Sequence, residues 1–354
     1  MILPNLPLWA ALLVFLACAV AIWIAGISLS NYTDALADRL HLGAALGGLI
    51  LLAVATNLPE IAITITAARN GQVDVAVSNI LGGIAIQTVV LVALDAFGVQ
   101  VKRPLTYQAA SLGLVLEGAV VVAVLVAVVM GAQLPKGDIA FRLTPDVVAI
   151  AALWIAGLVL TQRAGSHLPW HDNGNPPDAQ PKPRGHSAKK RAGDMKSIST
   201  GRVVAVFGLA AVVTLVAGAL LEESGSQAAK SVGLSGVLFG ATILAAATAL
   251  PELSTGLTAA RQGDYQLAFG DIFGGNAFLP VLFLLATVIS DKALLPNAHN
   301  SDLYLTALGA LLTLIYLAGL LFRPAKQHAR LGIDSIAVLV VYVIGIAGLA
   351  VLPS

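Results

Sequence analysis

The sequence predicts an all-α polytopic membrane protein, with ten transmembrane helices arranged as two inverted five-helix repeats. Three observations predict it. Of 354 residues, 58% are hydrophobic and 11% charged, with a mean hydropathy of +0.87, whereas a soluble globular chain carries about 25% charged residues. Ten stretches approach or exceed the roughly 20 apolar residues needed to cross about 30 Å of hydrocarbon. One block of 34 residues occurs twice, offset by 192 positions.

The composition excludes a water-soluble enzyme, a disordered chain and a nucleic-acid binder. Twenty Lys and Arg against nineteen Asp and Glu leave a net charge of +1, so no bulk field recruits a polyanion. The single cysteine, Cys18, lies in an apolar run and excludes a disulfide framework or a thiolate metal cluster. The expected spans are residues 6–29, 42–68, 74–97, 106–130, 145–161, 203–221, 233–260, 265–289, 303–322 and 333–352. The stretch 6–29 resembles a signal peptide in hydropathy, but Met1–Trp9 contains no Lys or Arg, so it reads as the first helix. The runs are too long for membrane-spanning strands and do not alternate.

Basic residues orient the spans. With the N-terminus outside, the inner connections hold fifteen Lys and Arg and the outer ones hold five, Arg69, Lys136, Arg142, Lys230 and Lys292. That bias follows the positive-inside rule and places both termini outside the cytosol, in a multi-pass protein of the cell (inner) membrane. The domains read as a first five-helix repeat over 1–162, a flexible cytosolic linker over 163–202 and a second repeat over 203–354. The linker carries Pro169, Pro176, Pro177, Pro181 and Pro183 and the basic run Lys189-Lys190-Arg191, a composition that buries too little apolar surface to fold. His167 and His171 there have metal-pair spacing, but Pro169 between them opposes the helix such a pair needs. The run reads instead as an orientation signal that can touch anionic lipid.

Residues 55–88 and 247–280 are identical at fifteen of 34 aligned positions without a gap, among them Thr56/Thr248, Pro59/Pro251, Glu60/Glu252, Arg69/Arg261 and Gly82-Gly83/Gly274-Gly275. Apolar composition matches Leu and Ala by chance, but not Thr, Pro, Glu and Arg in register. Five spans per half is an odd number, so the second copy enters the membrane from the opposite side. That is the inverted-repeat plan of secondary transporters, whose site lies near the midplane. Gly43 and Gly47, and Gly236 and Gly240, allow close helix packing on the motif-bearing spans.

Glu60 and Glu252 fall deep within their spans. A lone charge there costs at least about 2.5–3.5 kcal/mol and marks a functional site by default; the alternative is a protonated carboxyl bonded to a backbone carbonyl. Pro59 and Pro251 precede them and, lacking an N–H, leave the carbonyls of Ala55 and Ala247 without helical partners. Thr56 and Thr248 add hydroxyls within one turn. Broken helices, oxygen donors and two carboxylates suit a hard cation such as Ca²⁺, which takes about six to eight oxygens. Asn79 and Asp271 occupy equivalent positions, each followed by Ile-x-Gly-Gly; Asp271 is a third intramembrane acid and a candidate proton carrier. Gln87 and Asn276 add amide oxygens, each reading first as an interhelical hydrogen bond and second as a ligand. Asp95 is expected at the interface, and Glu117 receives no role.

With these motifs the sequence resembles the Ca²⁺/cation antiporter superfamily, within it the sodium/calcium exchanger group. The repeats of that family carry a Gly-Thr-Ser-Leu-Pro-Glu type motif and a Gly-Asn-x-x-Gly-Ser-Asn type motif. Here they stand as Ala55-Thr56-Asn57-Leu58-Pro59-Glu60 with Ser78-Asn79-Ile80-Leu81-Gly82-Gly83, and as Ala247-Thr248-Ala249-Leu250-Pro251-Glu252 with Gly270-Asp271-Ile272-Phe273-Gly274-Gly275-Asn276. The resemblance implies that Glu60 and Glu252 share a Ca²⁺ site with oxygens of Thr56 and Thr248, and that the first and sixth helices slide past the rest. The family's serines, which help bind Na⁺, are replaced by Asn57, Ala249, Gly83 and Gly275, and the amide and carboxylate one turn beyond become Gln87 and Leu279. The candidate cation ligands are therefore Glu60, Glu252, Thr56, Thr248, Asp271, Asn79, Asn57, Asn276 and Gln87.

The expected function is antiport of Ca²⁺, or a similar cation, against Na⁺ or H⁺. The expected partners are inorganic cations and the lipid bilayer, with no resident cofactor. A cation channel and a relative of altered specificity or no transport are the alternatives. An intramembrane enzyme is excluded, because no His-Glu-x-x-His, Gly-x-Ser-x-Gly or intramembrane His occurs.

Overall fold

The computed structural model describes residues 3–39, 54–135, 137, 142–167, 198–261 and 263–352. Most of the expected linker, with His171 and the Lys189-Lys190-Arg191 run, lies outside the described residues, as do Gly43, Gly47 and the first part of the second expected span.

The first half contains α1 (Leu8–Arg39), α2 (Leu58–Arg69), α3 (Val73–Phe97), the short α4 (Leu105–Ala109), α5 (Leu112–Gly131) and α6 (Pro145–His167). The second contains α7 (Thr200–Ser231), α8 (Gly236–Thr248), α9 (Leu250–Arg261), α10 (Tyr265–Ser290), α11 (Asn300–Phe322) and α12 (Ile333–Val351). A two-residue hairpin, β1 (Gln327–His328) with β2 (Leu331–Gly332), joins α11 to α12. Among the described residues, eight helices are long and apolar enough to cross a membrane, and α8 with α9, bent by 43°, makes a ninth span. The remaining expected span, 42–68, is described only from residue 54, and α2 is its second half.

The internal repeat carries through to the elements. Helices α1 and α7 each run 32 residues, α2 and α9 each run 12, and both pairs keep the offset of 192. The turns that follow α2 and α9 are built alike. Gln72 N–H donates to Ala67 O (2.8 Å) and Asp264 N–H to Ala259 O (2.9 Å), around Gly71 at φ +71° and Gly263 at φ +80°. That left-handed position closing a helix is the one glycine occupies without a Cβ penalty.

Three boundaries differ from expectation. Helices α1 and α7 extend ten residues, nearly three turns, past the expected ends at 29 and 221, to Arg39 and Ser231. Helix α6 continues to His167, inside the expected linker. The α7 extension is polar yet buried, because the N-terminal segment lies across it. The backbone N–H of Leu3 donates to Glu223 Oε2 (2.8 Å) and that of Leu6 to Gln227 Oε1 (3.0 Å). A hydropathy window ends at the first charges and misses such a cover.

On α1, Trp9, Leu13, Leu16, Val20 and Ile24 are each more than half exposed, while Phe15, Ile22 and Leu29 are buried. A helix with one apolar face out and one in is what lipid on one side and protein on the other require. The inward face of α1 packs with α2, α7 and α8 through Phe15, Ile22, Ile63, Leu221 and Phe239. A second, larger core joins α3, α5, α10, α11 and α12. Its centre is aromatic: Phe269 meets Phe273 (5.4 Å between centroids) and Tyr316 (5.5 Å) edge to face, geometry that favours the pair beyond simple burial.

Glycines of the two long helices pack on the prolines of the repeat. Gly26 of α1 lies against Pro251 of α9, and Gly218 of α7, the position equivalent to Gly26, lies against Pro59 and Ala62 of α2. A Cβ on Gly218 comes within 2.9 Å of Ala62 Cβ and 3.1 Å of Pro59 O. Gly218→Leu is therefore expected to force α7 off α2, at a cost of about 1–3 kcal/mol or more. The detergent-solubilised variant should melt several degrees below the parent, while an exposed control such as Leu209→Ala should not. Equal melting temperatures for Gly218→Leu and the parent would contradict this packing.

Candidate cation site

Each half interrupts a helix at the same place. Helix α8 stops at Thr248, and α9 begins at Leu250 with Pro251 in its first turn. Because Pro251 has no N–H, Ala247 O loses its helical donor, whereas the flanking bonds survive, Ala249 N–H to Ala245 O and Leu253 N–H to Ala249 O, both 3.0 Å. Helix α2 likewise starts after Asn57 with Pro59 in its first turn. The break sets Glu60 and Glu252 in the first turns of α2 and α9, where the positive end of the helix dipole favours a carboxylate. The preceding segment ends in carbonyls of the opposite polarity, which favour a cation.

Both glutamates are buried, Glu60 0% and Glu252 1% exposed. They lie close enough across the two halves for the Glu60 charge to act on Glu252, as does that of Asp271. Gln87 of α3 donates through Nε2 to Glu252 Oε1 at 3.5 Å. The Gln87 amide and the Thr248 hydroxyl also lie within interacting range of Glu60, without reaching hydrogen-bond geometry. Thr248 donates its own proton to Ala245 O (3.1 Å), which leaves its oxygen lone pairs available as acceptors. No Lys, Arg or His among the described residues acts on either carboxylate.

The other expected ligands divide. Asp271 joins the cluster through Thr255, whose Oγ1 donates to Asp271 Oδ2 at 3.0 Å and lies 3.2 Å from Glu252 O. Asn57 lies beside Thr56, with Nδ2 3.4 Å from Thr56 Oγ1, and its amide packs against Gly275. Asn276 instead ties α10 to α3, donating to Thr88 Oγ1 at 3.1 Å. Asn79 is buried beside Gly240 of α8, and its amide makes no hydrogen bond to either glutamate. Glycines at 236 and 240 admit this close approach, Gly236 onto Val75 and Gly240 onto Ser78. The helix widens to a π turn over Gly240–Leu244 just there. Among the described residues, no three His, Cys, Asp or Glu side chains close tightly enough for a metal cluster. The donor set is two carboxylates supplemented by hydroxyl, amide and freed carbonyl oxygens, which suits a hard ion.

Sequence reasoning missed Thr255. The repeat comparison gave no signal, because its equivalent is Ile63; the one usable signal is its place one turn beyond Glu252 on the same face. Asp95, near the end of α3, is buried, 1% exposed, and accepts three hydrogen bonds. Glu117 points Oε2 at Gly270 of α10 without a hydrogen-bond partner.

The family described as sodium/calcium exchanger protein matches residues 10–161 and 202–348, most of both halves. The chain belongs to the sodium/calcium exchanger family. Its members are transporters and not enzymes, and this chain is an all-α, multi-pass membrane protein of that Ca²⁺/cation exchanger class. Across 327 residues this exchanger is 26% identical to the inner membrane protein YrbG of Escherichia coli, covering 88% of this chain and 91% of YrbG. CaxA of Alkalimonas amylolytica is 27% identical over 311 residues, 86% of this chain and 89% of CaxA. The crystal structure of the H⁺/Ca²⁺ exchanger CAX superposes with a TM-score of 0.67 at 18% identity, over 97% of this chain and 82% of CAX. At that identity the likeness is one of fold.

Proposed function

We propose that this exchanger moves Ca²⁺, or a similar divalent cation, in exchange for Na⁺ or H⁺, by alternating access to a site between Glu60 and Glu252. One observation carries the reading. Two symmetry-related carboxylates are buried within range of one another's charge, and among the described residues no basic side chain compensates them. Burial of that kind is tolerable only with a mobile positive ion or protons. A dication neutralises both acids at once, and two monovalent ions or two protons do the same on the return, which makes the exchange electrically balanced at the site.

Thr248, Thr56 and the freed carbonyls of Ala55 and Ala247 would supply further oxygens, and Asp271 would extend the acidic surface beside Glu252. The halves 1–162 and 203–354 would present the same acid to opposite faces, so that rearrangement of one against the other exposes the site alternately. The basic residues of the connections support an orientation with both termini outside the cytosol, in the cell (inner) membrane.

Flux in proteoliposomes tests this, with Ca²⁺, Na⁺ and pH gradients imposed one at a time. The expected result is ⁴⁵Ca²⁺ uptake that saturates, shows counterflow and follows an outward gradient of one counter-ion. Uptake that grows without saturation and lacks counterflow would mark a channel. No uptake under any gradient, with ⁴⁵Ca²⁺ still bound by the purified protein, would mark a relative that binds without transporting.

A further inference from the structure

Two arginines, one from each half, share an aromatic ring where the spans α3 and α11 end. Arg103 Cζ lies 4.6 Å and Arg323 Cζ 4.8 Å from the ring centroid of Tyr107 on α4. The guanidinium groups therefore stand closer together than the Debye length of about 10 Å at 0.1 M salt, and they repel. A ring face attracts one cation; it does not cancel a second. Neither arginine forms an ion pair with a described carboxylate. The segments 98–110 and 321–332 contain five Lys and Arg and no Asp or Glu. Asp95 and Asp334, which bond at the edges of these segments, are buried and face backbone N–H groups and Ser335. The pair is held in place all the same. Arg323 closes α11 in the left-handed conformation, φ 48°, where glycine is the ordinary residue, and its Nη2 donates to Tyr107 O at 3.3 Å. Gln327 of β1 donates through Nε2 to Arg103 O at 2.8 Å.

An apolar track leads to this pair. Leu311, Leu314, Ala318 and Leu321 form one exposed face of α11 at helical spacing, and Phe322 at its end is 85% exposed. Arg323 is the first residue beyond that apolar span, the level at which lipid headgroups lie. We propose that Arg103 and Arg323 form a headgroup site for an anionic phospholipid, whose phosphate rests against both guanidinium groups while an acyl chain follows the exposed face of α11. The chemistry fits each part. Guanidinium meets phosphate through paired N–H donors, and one phosphate relieves the repulsion of two cations at once. Free phosphate finds the same charges but has nothing to lay along the leucines, so the track selects the lipid. Because one arginine comes from each half, the bound headgroup bridges them. The site stands apart from the buried glutamates and holds whichever ion the protein moves.

Lipid retention by the full chain tests this. The immobilised protein is equilibrated with mixed micelles holding equal amounts of dioleoyl phosphatidylglycerol and dioleoyl phosphatidylcholine, which differ only in the headgroup, and the bound lipids are extracted and quantified. The parent is expected to retain phosphatidylglycerol in preference. In the double variant Arg103→Gln/Arg323→Gln that preference is expected to fall by about tenfold or more, the loss of two basic side chains at a charged lipid surface. Lys292→Gln, an exposed basic residue on another connection, should leave it unchanged. Should the double variant not fold, Arg323→Gly removes one guanidinium and gives the left-handed cap its ordinary residue, and Arg103→Gln removes an exposed side chain; each is expected to lose severalfold. A preference equal to the parent's in every folded variant overturns the proposal. So does an equal loss in Lys292→Gln, which would mark net charge rather than a site. A wash with sodium phosphate is expected to release no more phosphatidylglycerol than NaCl of the same ionic strength. Release by phosphate alone would make this a site for free phosphate and overturn the lipid assignment.

Discussion

Glu60→Gln and Glu252→Gln are each expected to lower ⁴⁵Ca²⁺ exchange in proteoliposomes by about a thousandfold or more, with the protein still folded. Glutamine keeps the shape of the side chain and one carbonyl oxygen, so packing changes little. What it removes is a full negative charge beside the ion. Two unit charges about 4 Å apart interact by about 4 kcal/mol at an effective dielectric near 20, and a dication doubles the term. Even after a large discount for the desolvation of the ion, several kcal/mol of binding is lost, and each 1.4 kcal/mol is a factor of ten. Stability should move the other way. Each glutamate is buried with almost no donors, an arrangement that costs folding free energy, so both variants should melt at or above the parent in Ca²⁺-free detergent. Loss of flux together with unfolding would mean that the acids serve the fold. Undiminished exchange in both variants would end the assignment of the site.

How much of this was legible depended on which residues the two halves share. The broken helices were readable because Pro-Glu occurs twice in register, and proline breaks the ladder wherever it stands. The opposite entry of the two copies into the membrane was inferred from an odd number of expected spans per half. Other features were hidden because only one half carries them. Thr255 supports Asp271, but its equivalent is Ile63; Gln87 answers Leu279. A third class was hidden by a slip in register. Asp146, in the first turn of α6, is buried beside Gly131, and Asp334, in the first turn of α12, is buried beside Gly319. These are matching helix–helix contacts, but their offset is 188 rather than 192, so a gapless comparison passes over them. The scaffold helices need only apolar volume and a small residue at the crossing, and sequence drifts freely under so weak a demand. The buried end of α7 escaped for the reason hydropathy always fails at such places: it counts charges and cannot see a backbone segment folded over them.

Asp95→Ala is expected to be the most damaging substitution outside the site. Its carboxylate accepts Leu105 N–H through Oδ1 (2.7 Å), and Gly332 N–H and Ser335 Oγ through Oδ2 (both 2.7 Å). Ser335 Oγ in turn meets Tyr316 OH at 3.2 Å. One side chain on α3 thus holds the start of α4, the end of β2, the first turn of α12 and, through Ser335, α11. Hydrogen bonds to a charged group contribute about 1.5–3 kcal/mol each. Three that share one acceptor do not add, yet alanine strands two backbone N–H groups in a buried place, and a loss on the order of 3–5 kcal/mol follows. Asp95→Asn should be milder. It retains an acceptor, and it relieves repulsion from Asp334, whose charge reaches Asp95, but one amide N–H must then face a donor. The expected order of melting temperature in detergent is parent, Asp95→Asn, Asp95→Ala. Eight residues of helix separate Asp95 from Gln87, about 12 Å of rise, so whatever fraction of either variant remains folded should bind ⁴⁵Ca²⁺ with the affinity of the parent. A variant that melts normally but has lost ⁴⁵Ca²⁺ binding would instead make Asp95 part of the ion's route, and the structural role argued from its three hydrogen bonds would be wrong.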